Sequence, residues 1–377
     1  MRVLACVMAV ACLLAGVAPA SAPAQSRQTS WATYSTLAHA QAVAIAEALR
    51  ATAGLDMTIR SADTDLAGVD LLRTGRVDFS ATAIGGSVAA QEGVFEFADK
   101  GWGPQKVRLV LANAADLLNY NLIAAGDLGI RTYADLKGRR VAWYTDFPVV
   151  NVNTEAFLAY GGLGWADVQR VEVRGFFDAA FKALVNGQLD AAFAATIGDD
   201  FRAAAASPRG LYWPPVDRTD TAAMARLLAV APYFVPHDAV HGTADAGDRS
   251  HHGAHYPYPI LVTMRDTDAG LVRDMMQALV QAHPHYRGKV VGIDGWRIDE
   301  QYLRWFVPYH DGAIAYLRER GLWSDAAQAH NDALIARQEA LAAAWRTLAA
   351  ENPQDWANAW NERRRRALRD GGFGVVF

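Results

Sequence analysis

Gly75-Arg76-Val77-Asp78-Phe79-Ser80-Ala81-Thr82-Ala83-Ile84-Gly85-Gly86 and Gly187-Gln188-Leu189-Asp190-Ala191-Ala192-Phe193-Ala194-Ala195-Thr196-Ile197-Gly198 are two versions of one stretch, 112 residues apart. Each follows an apolar helical segment and runs into a short strand that ends in glycine. The leading Gly can end a helix in the left-handed conformation, and the closing Gly lets backbone approach whatever lies beyond. The duplication predicts two lobes of similar α/β build. Ligands of open α/β sheets bind beyond the carboxyl ends of strands. Two lobes presenting such ends to each other describe a receptor that closes on its ligand.

Upstream of the first copy, 29–33 reads as a strand, 37–50 as an amphipathic helix capped by Ser35 or Thr36, 55–60 as a strand and 66–74 as a helix, leading into a strand at 77–83. This β-α-β-α-β order opens a doubly wound lobe. Apolar strands at 107–112 and 121–125 flank a polar joint at 113–120, the first crossing between lobes. The second lobe repeats the plan, with strands at 139–143, 168–173 and 191–195 and helices at 148–160 and 177–185, the former with Pro148 in its first turn. A return strand at 258–263 and a helix at 268–283 lead back. The segment 237–255, rich in Gly, Asp and His, reads as an exposed loop. Beyond Trp323 the chain is almost purely helical, 326–350 and 356–369, broken at Asn352-Pro353. The expected organisation is a signal peptide at 1–24, lobe 1 at 25–118, lobe 2 at 119–257, a return to lobe 1 at 258–323 and a C-terminal helical extension at 324–377.

Arg2, the apolar run 3–17 and the small-residue sites Ala18-Pro19-Ala20 and Ala22-Pro23-Ala24 read as a secretory signal peptide cut before Gln25. That run is short for a bilayer span, and no later stretch approaches the roughly 20 apolar residues needed, so the expectation is a periplasmic, soluble chain. Cys6 and Cys12 both fall in the leader, which leaves a mature protein without disulfide, thiol or zinc-thiolate chemistry. Cys12 lacks the leucine context of a lipid-attachment site. The chain carries a net charge of −4, or −5 once Arg2 leaves with the leader, and no basic patch points to nucleic acid. With 52% hydrophobic and 20% charged residues, it has the composition of a globular protein too long for one ordinary core.

Ile130-Arg131-Thr132-Tyr133-Ala134-Asp135-Leu136-Lys137-Gly138-Arg139-Arg140-Val141, the paired Gly-x-(Val/Leu)-Asp segments, and Pro308-Tyr309-His310-Asp311-Gly312-Ala313 followed by Glu319-Arg320-Gly321 resemble elements of the TAXI-type solute-binding proteins of TRAP transporters. The resemblance spans roughly residues 29–323. It implies an α/β periplasmic binding protein, type II-like, whose two doubly wound lobes join at a hinge. Such a protein captures a small organic solute, a carboxylate or amino acid, and delivers it to a sodium-coupled TRAP permease. It implies no cofactor and no catalysis. In one respect the chain departs from the family. The turn after the DLKGRR-containing strand is usually Gly/Ser-rich there, whereas here it reads Trp143-Tyr144-Thr145-Asp146-Phe147-Pro148.

The cleft candidates are turns at strand ends: 31–36, 82–86, 143–153, 174–177 and 196–199. From them the expected ligand-binding residues are Tyr34, Ser35, Thr36, Thr82, Trp143, Tyr144, Thr145, Asp146, Asn151, Arg174, Phe177 and Thr196. Backbone N–H groups at the helix starts after Ser35 and Phe147 suit a carboxylate, with Ser35, Thr36, Tyr144 and Thr145 hydroxyls fixing its orientation. Arg174 could clamp it bidentately. Tyr34 and Tyr144 are expected to face each other across the gap. The bland alternatives are that Ser35 and Thr145 only cap helices, that Trp143 and Phe147 point into a core, and that Arg174 is a surface residue. Trp31, Tyr34, Trp143, Tyr144 and Phe147 with Asp146 also allow an aromatic or cationic solute instead, because an ammonium is attracted to an aromatic face.

Several other features have plain explanations. His237, His241, His251, His252 and His255 include pairs four residues apart, which on a helix could share a metal, but intervening glycines favour a solvated loop and no metal is expected. Gly85-Gly86-Ser87-Val88-Ala89 lacks the last glycine of a nucleophile elbow. His310 reads as a capping residue. Arg363, Arg364, Arg365, Arg366 and Arg369 read as solvated charges at a helix C-terminus, with permease or lipid docking as the other reading. Leu334, Leu341, Trp345, Leu348, Trp356 and Trp360 form an apolar stripe, so the extension should pack on the body. The protein is expected to be a monomeric, non-enzymatic receptor, the rival being a sensor subunit for a membrane receptor kinase.

Overall fold

The computed structural model describes residues 27–115, 119–196, 199–239 and 251–377. The expected leader with Cys6 and Cys12, residues Ile197 and Gly198, and His241 with the centre of the histidine-rich segment lie outside them. The chain runs β1 (Arg27–Thr33), α1 (Thr36–Ala53), β2 (Leu55–Ser61), α2 (Asp65–Arg73), β3 (Phe79–Thr82), α3 (Ile84–Glu92), β4 (Val107–Ala112) and crosses to the second lobe. There it forms β5 (Tyr120–Ala125), β6 (Arg140–Tyr144), α4 (Pro148–Tyr160), β7 (Gln169–Val173), α5 (Phe177–Val185), β8 (Ala191–Ala195), α6 (Asp199–Ala205), β9 (Leu211–Tyr212), α7 (Thr221–Val230), β10 (Val235–Ala239) and β11 (His251–His255). It returns through β12 (Ile260–Met264), α8 (Ala269–Tyr286) and α9 (Asp311–Glu319), and ends in α10 (Asp325–Glu351) and α11 (Trp356–Asp370).

The two five-stranded sheets have the same plan. Lobe 1 is ordered β2-β1-β3-β12-β4 and lobe 2 β7-β6-β8-β5-β9. In each, the strand in the second position pairs in parallel with both neighbours, and the fourth position is an antiparallel strand adjacent to a crossing. The repeated sequence explains the match. Gly75 and Gly187 both adopt left-handed φ, +67° and +71°. Asp78 then donates its backbone N–H to Ser30 O and accepts at Oδ2 from Ser30 N (2.7 Å). Asp190 does the same for Arg140, its N–H reaching Arg140 O and its Oδ2 accepting Arg140 N (2.9 Å). Each aspartate therefore locks the central strand of its lobe at its starting edge.

Three expectations change. Residues 84–86, read as the glycine end of a strand and its turn, instead open the helix α3 (Ile84–Glu92), every residue of which is buried. Gly85 and Gly86 lower helix propensity, but burial between helices more than compensates. The flanks of the supposed loop 237–255 pair as a β10–β11 hairpin, Val235 opposite His255 through Ala239 opposite His251. Helices α6 and α7, unassigned from sequence, pack on α5 and α4 of lobe 2, and α9, whose start His310 signals, packs on α8 of lobe 1.

The helical extension packs on lobe 1 as its apolar stripe implied. Leu341, Leu348, Trp360 and Leu368 are buried in a cluster of their own, and Trp360 Nε1 and Trp356 Nε1 donate to Gly93 O (2.7 Å) and Ala98 O (2.8 Å). The arginine cluster needs correcting. Arg364 is fully buried and donates to Glu92 Oε2 at 2.5 Å, to Val376 O and to Phe377 O, while Arg337 pairs with the same glutamate. Burial lowers the Arg364 pKa from its ordinary value, with Glu92 opposing. Among the described residues, no helix is long and apolar enough to cross a membrane.

Candidate functional site

Beyond the carboxyl ends of the strands lies a cavity of about 380 Å³. Lobe 1 supplies Tyr34, Ser35 and Thr36 from the turn between β1 and α1. Lobe 2 supplies Phe147 ahead of α4, Phe176, Phe177, Asp178 and Phe181 at the start of α5, and Asp200 and Phe201 on α6. Tyr34, Phe147, Phe176 and Phe177 are only partly buried, so their ring surfaces are available to a solute. Phe176 stacks on Phe177 at 3.9 Å between centroids and tilts against Phe147 at 4.6 Å. Phe181 and Phe201 are buried behind them.

Ser35 caps α1, its Oγ accepting from Ala38 N (3.1 Å), and shares a 2.6 Å hydrogen bond with the Tyr258 hydroxyl. Tyr258 belongs to the return crossing. Its ring meets Tyr34 edge-on at 6.2 Å and Tyr120 at 6.3 Å, while Tyr120 stacks flat on Tyr256 at 4.4 Å. The residues where the chain enters and leaves lobe 2 are thus tied to the lobe 1 wall of the cavity through a tyrosine ladder. Burial raises the pKa of Tyr34 and pushes that of Tyr258 up to about 12, so both remain neutral phenols. Asp65, also buried, has its carboxylate against Gly86 of α3; desolvation raises its pKa to about 6 even though backbone N–H groups of Leu66 and Gly86 stabilise the charge.

Of the expected site residues, Tyr34, Ser35, Thr36 and Phe177 line this cavity, and the others stand elsewhere. Tyr144 is an internal residue of lobe 2: its hydroxyl donates to Phe193 O at 2.6 Å and its ring backs Phe177, so it does not face Tyr34. Strand alternation then turns Trp143 to the opposite side of the sheet, where it meets Trp165 and lies under the Arg170 guanidinium. Asn151 clamps the backbone of Tyr144, accepting its N–H and donating to its carbonyl. Thr82 is buried beneath α2. Thr196 accepts the Asn119 N–H at 2.9 Å and so anchors the first crossing. Thr145 and Arg174 are exposed outside the lining. Asp146 accepts from Gly175 N (2.9 Å), stitching the turn after β6 to the turn after β7 and so positioning Phe176.

Sequence reasoning missed Phe176, Asp178, Phe181, Asp200 and Phe201 as lining residues. Helical spacing held the signal for one of them, since Phe181 lies four residues beyond Phe177 and shares its face. For His310 and Ser87 the plain readings describe what is seen. His310 caps α9 through Nδ1, accepting from Gly312 N, and Ser87 is buried with its hydroxyl toward Ala83 O. His237 stacks on His255 at 4.2 Å and His252 pairs with Asp238. No three His, Cys, Asp or Glu side chains converge as a metal site among the described residues.

Residues 31–321 match the model of the NMT1-like family. The chain belongs to the NMT1-like family. None of the curated proteins matches it. Solved structures with a similar fold include the periplasmic aliphatic sulphonate binding protein SsuA from Escherichia coli, 15% identical over 82% of this chain and 79% of that one, with a TM-score of 0.45. The alkanesulfonate-binding protein SsuA from Xanthomonas axonopodis pv. citri bound to MOPS is 16% identical over 82% and 84%, with a TM-score of 0.40. The probable amino-acid ABC transporter extracellular-binding protein ytmK from Bacillus subtilis is 11% identical over 71% and 99%, with a TM-score of 0.41.

Proposed function

We propose that this NMT1-like chain is an extracytoplasmic solute-binding subunit of a membrane transporter, and that it binds one small organic solute without transforming it. The observation that carries the reading is the cavity itself, walled by strand-end turns from both lobes and linked to both crossings through Tyr34, Tyr258 and Tyr120. A solute bound there touches both lobes, so it stabilises the closed arrangement by its differential affinity for it. Export to the periplasm is the expectation from the leader-like sequence of residues 1–24. The TRAP-type permease is the partner suggested by the sequence resemblance. Two solute classes compete for the cavity: a carboxylate or amino acid held at helix starts, and an aromatic or cationic solute held by rings and carboxylates.

A thermal-shift screen across amines, amino acids, aromatic acids and sulfonates, followed by small-angle scattering with each hit, tests the receptor reading. Solute at a hundred times its dissociation constant adds about 2.7 kcal/mol of stability, and the radius of gyration should fall. A library that yields no stabilising compound would speak against a receptor. Uptake through the co-expressed permease then identifies the partner, because a TRAP system needs a sodium gradient and an ABC system needs ATP.

A further inference from the structure

We infer that the cavity is built for an organic cation, an ammonium carried on an aromatic or similarly flat apolar body; this rests on the receptor reading above. Among its lining residues, six are aromatic and two are aspartates, and none is Lys, Arg or His. An anion entering this space would meet Asp178 and Asp200 with no cationic side chain to answer its charge. An ammonium would meet the same two carboxylates and the ring faces of Phe147, Phe176, Phe177 and Tyr34, whose quadrupoles attract it.

Most helix starts around the cavity are already provided for. Ser35 caps α1, Asp178 stands in the first turn of α5 and Asp200 in that of α6, and α4 begins with Pro148, which has no N–H to offer. The start of α3, nearby on the lobe 1 side, is matched by the Asp65 carboxylate against Gly86. The positive ends of α1, α3, α5 and α6, which would draw a carboxylate or sulfonate, are thus met by the chain's own groups, whereas α4 has no acidic residue in its first turn and no side-chain cap. Asp178 also pairs with Lys182 at 3.3 Å, but both side chains are well exposed and Lys182 does not line the cavity. A pair of that kind is weak and yields to a better-placed ammonium.

Titration calorimetry of the full mature chain with four probes of one shape tests the inference: 2-phenylethylammonium, 2-phenylethanol, phenylalanine and 3-phenylpropionate. The ammonium should bind at least tenfold more tightly than the alcohol, and the propionate more weakly than either. Asp178→Asn and Asp200→Asn change exposed side chains, and each should cost the ammonium about tenfold while leaving the alcohol unchanged. Phe176→Leu should weaken the ammonium more than the alcohol, separating ring attraction from apolar contact. Phenylalanine or phenylpropionate binding most tightly would overturn the cation assignment and leave the receptor reading standing. No binding by any of the four at millimolar concentration would overturn the assignment too, and the broad screen would then decide the receptor reading separately.

Discussion

Gly85 of lobe 1 and Val149 of lobe 2 touch across the gap between the lobes, so closely that a Cβ on Gly85 would overlap Val149 Cγ1. Both lie at helix starts, α3 and α4, and the Tyr233 hydroxyl of lobe 2 stands 3.7 Å from the same point. The contact needs a residue without a side chain. Gly85, the first of the two glycines that close the first repeat, thus sets how near the lobes come at this point.

Replacing Gly85 with alanine should hold the lobes apart without harming either fold, since alanine in a helix is favoured by about 1 kcal/mol over glycine. The expected outcome is an unchanged or raised melting temperature, a larger radius of gyration with solute present, and at least tenfold weaker binding. A variant that binds and contracts like the parent would show that this contact does not govern closure.

Arg364→Leu should destabilise the protein by about 3–5 kcal/mol, because it leaves the buried Glu92 carboxylate with Arg337 as its remaining partner. Truncation after Trp323 removes both arginines and should lower the melting temperature further or cause aggregation. Urea unfolding monitored by tryptophan fluorescence measures the first, and calorimetry the second. An Arg364→Leu chain within 1 kcal/mol of the parent would sink the claim that the extension is pinned through Glu92.

Asp65 gives a pH signature whose sign can be worked out. Its pKa rises from 3.8 to about 6 on folding, so between those values the folded protein holds a proton that the unfolded chain releases. Stability contributed by this group is therefore present at low pH, falls as pH rises through that window, and stays level above about 6, a change of about 3 kcal/mol at most. Asp65→Asn should accordingly gain on the parent as pH goes from 4 to 6.5, and the gain should then plateau. Melting curves of both proteins across pH 4–8 check this; a difference independent of pH would refute the burial effect.

Tyr34→Ala and Tyr144→Ala should part company. Tyr144 fills lobe 2 and hydrogen-bonds Phe193 O, so its loss should cost about 3–5 kcal/mol of stability. Tyr34→Ala should weaken binding of a solute that stabilises the parent by at least fivefold at a smaller cost to folding. Paired unfolding and binding measurements on both variants test the assignment, and equal losses of stability would contradict it.

Local pattern placed much of this fold. Residues 148–160 and 177–185 carry a helical apolar period, 107–112 and 191–195 are short apolar runs, and all four elements appear with those bounds. Helix α3 escaped because Gly85-Gly86 reads as a turn wherever nothing is known of its surroundings. The β10–β11 hairpin escaped because its Gly and His content mimics a loop, whereas pairing of Val235 with His255 is a contact between distant residues.

The sequence by itself determined that there are two like lobes, that each opens a strand with a Gly-x-(Val/Leu)-Asp turn, and that the turns at strand ends, those after β1, β3, β6, β7 and β8, are where a solute could be received. These follow from periods and backbone preferences that act over a few residues. Only the tertiary structure decided which side chains of those turns reach the cavity. One step along β6 separates Trp143 on one face from Tyr144 on the other, and the orientation of the whole sheet against its helices turns neither toward Tyr34. Phe176, Phe177 and Asp178 are brought there instead because Asp146 holds Gly175 in place, an interaction between two strand ends nearly thirty residues apart that no local pattern encodes.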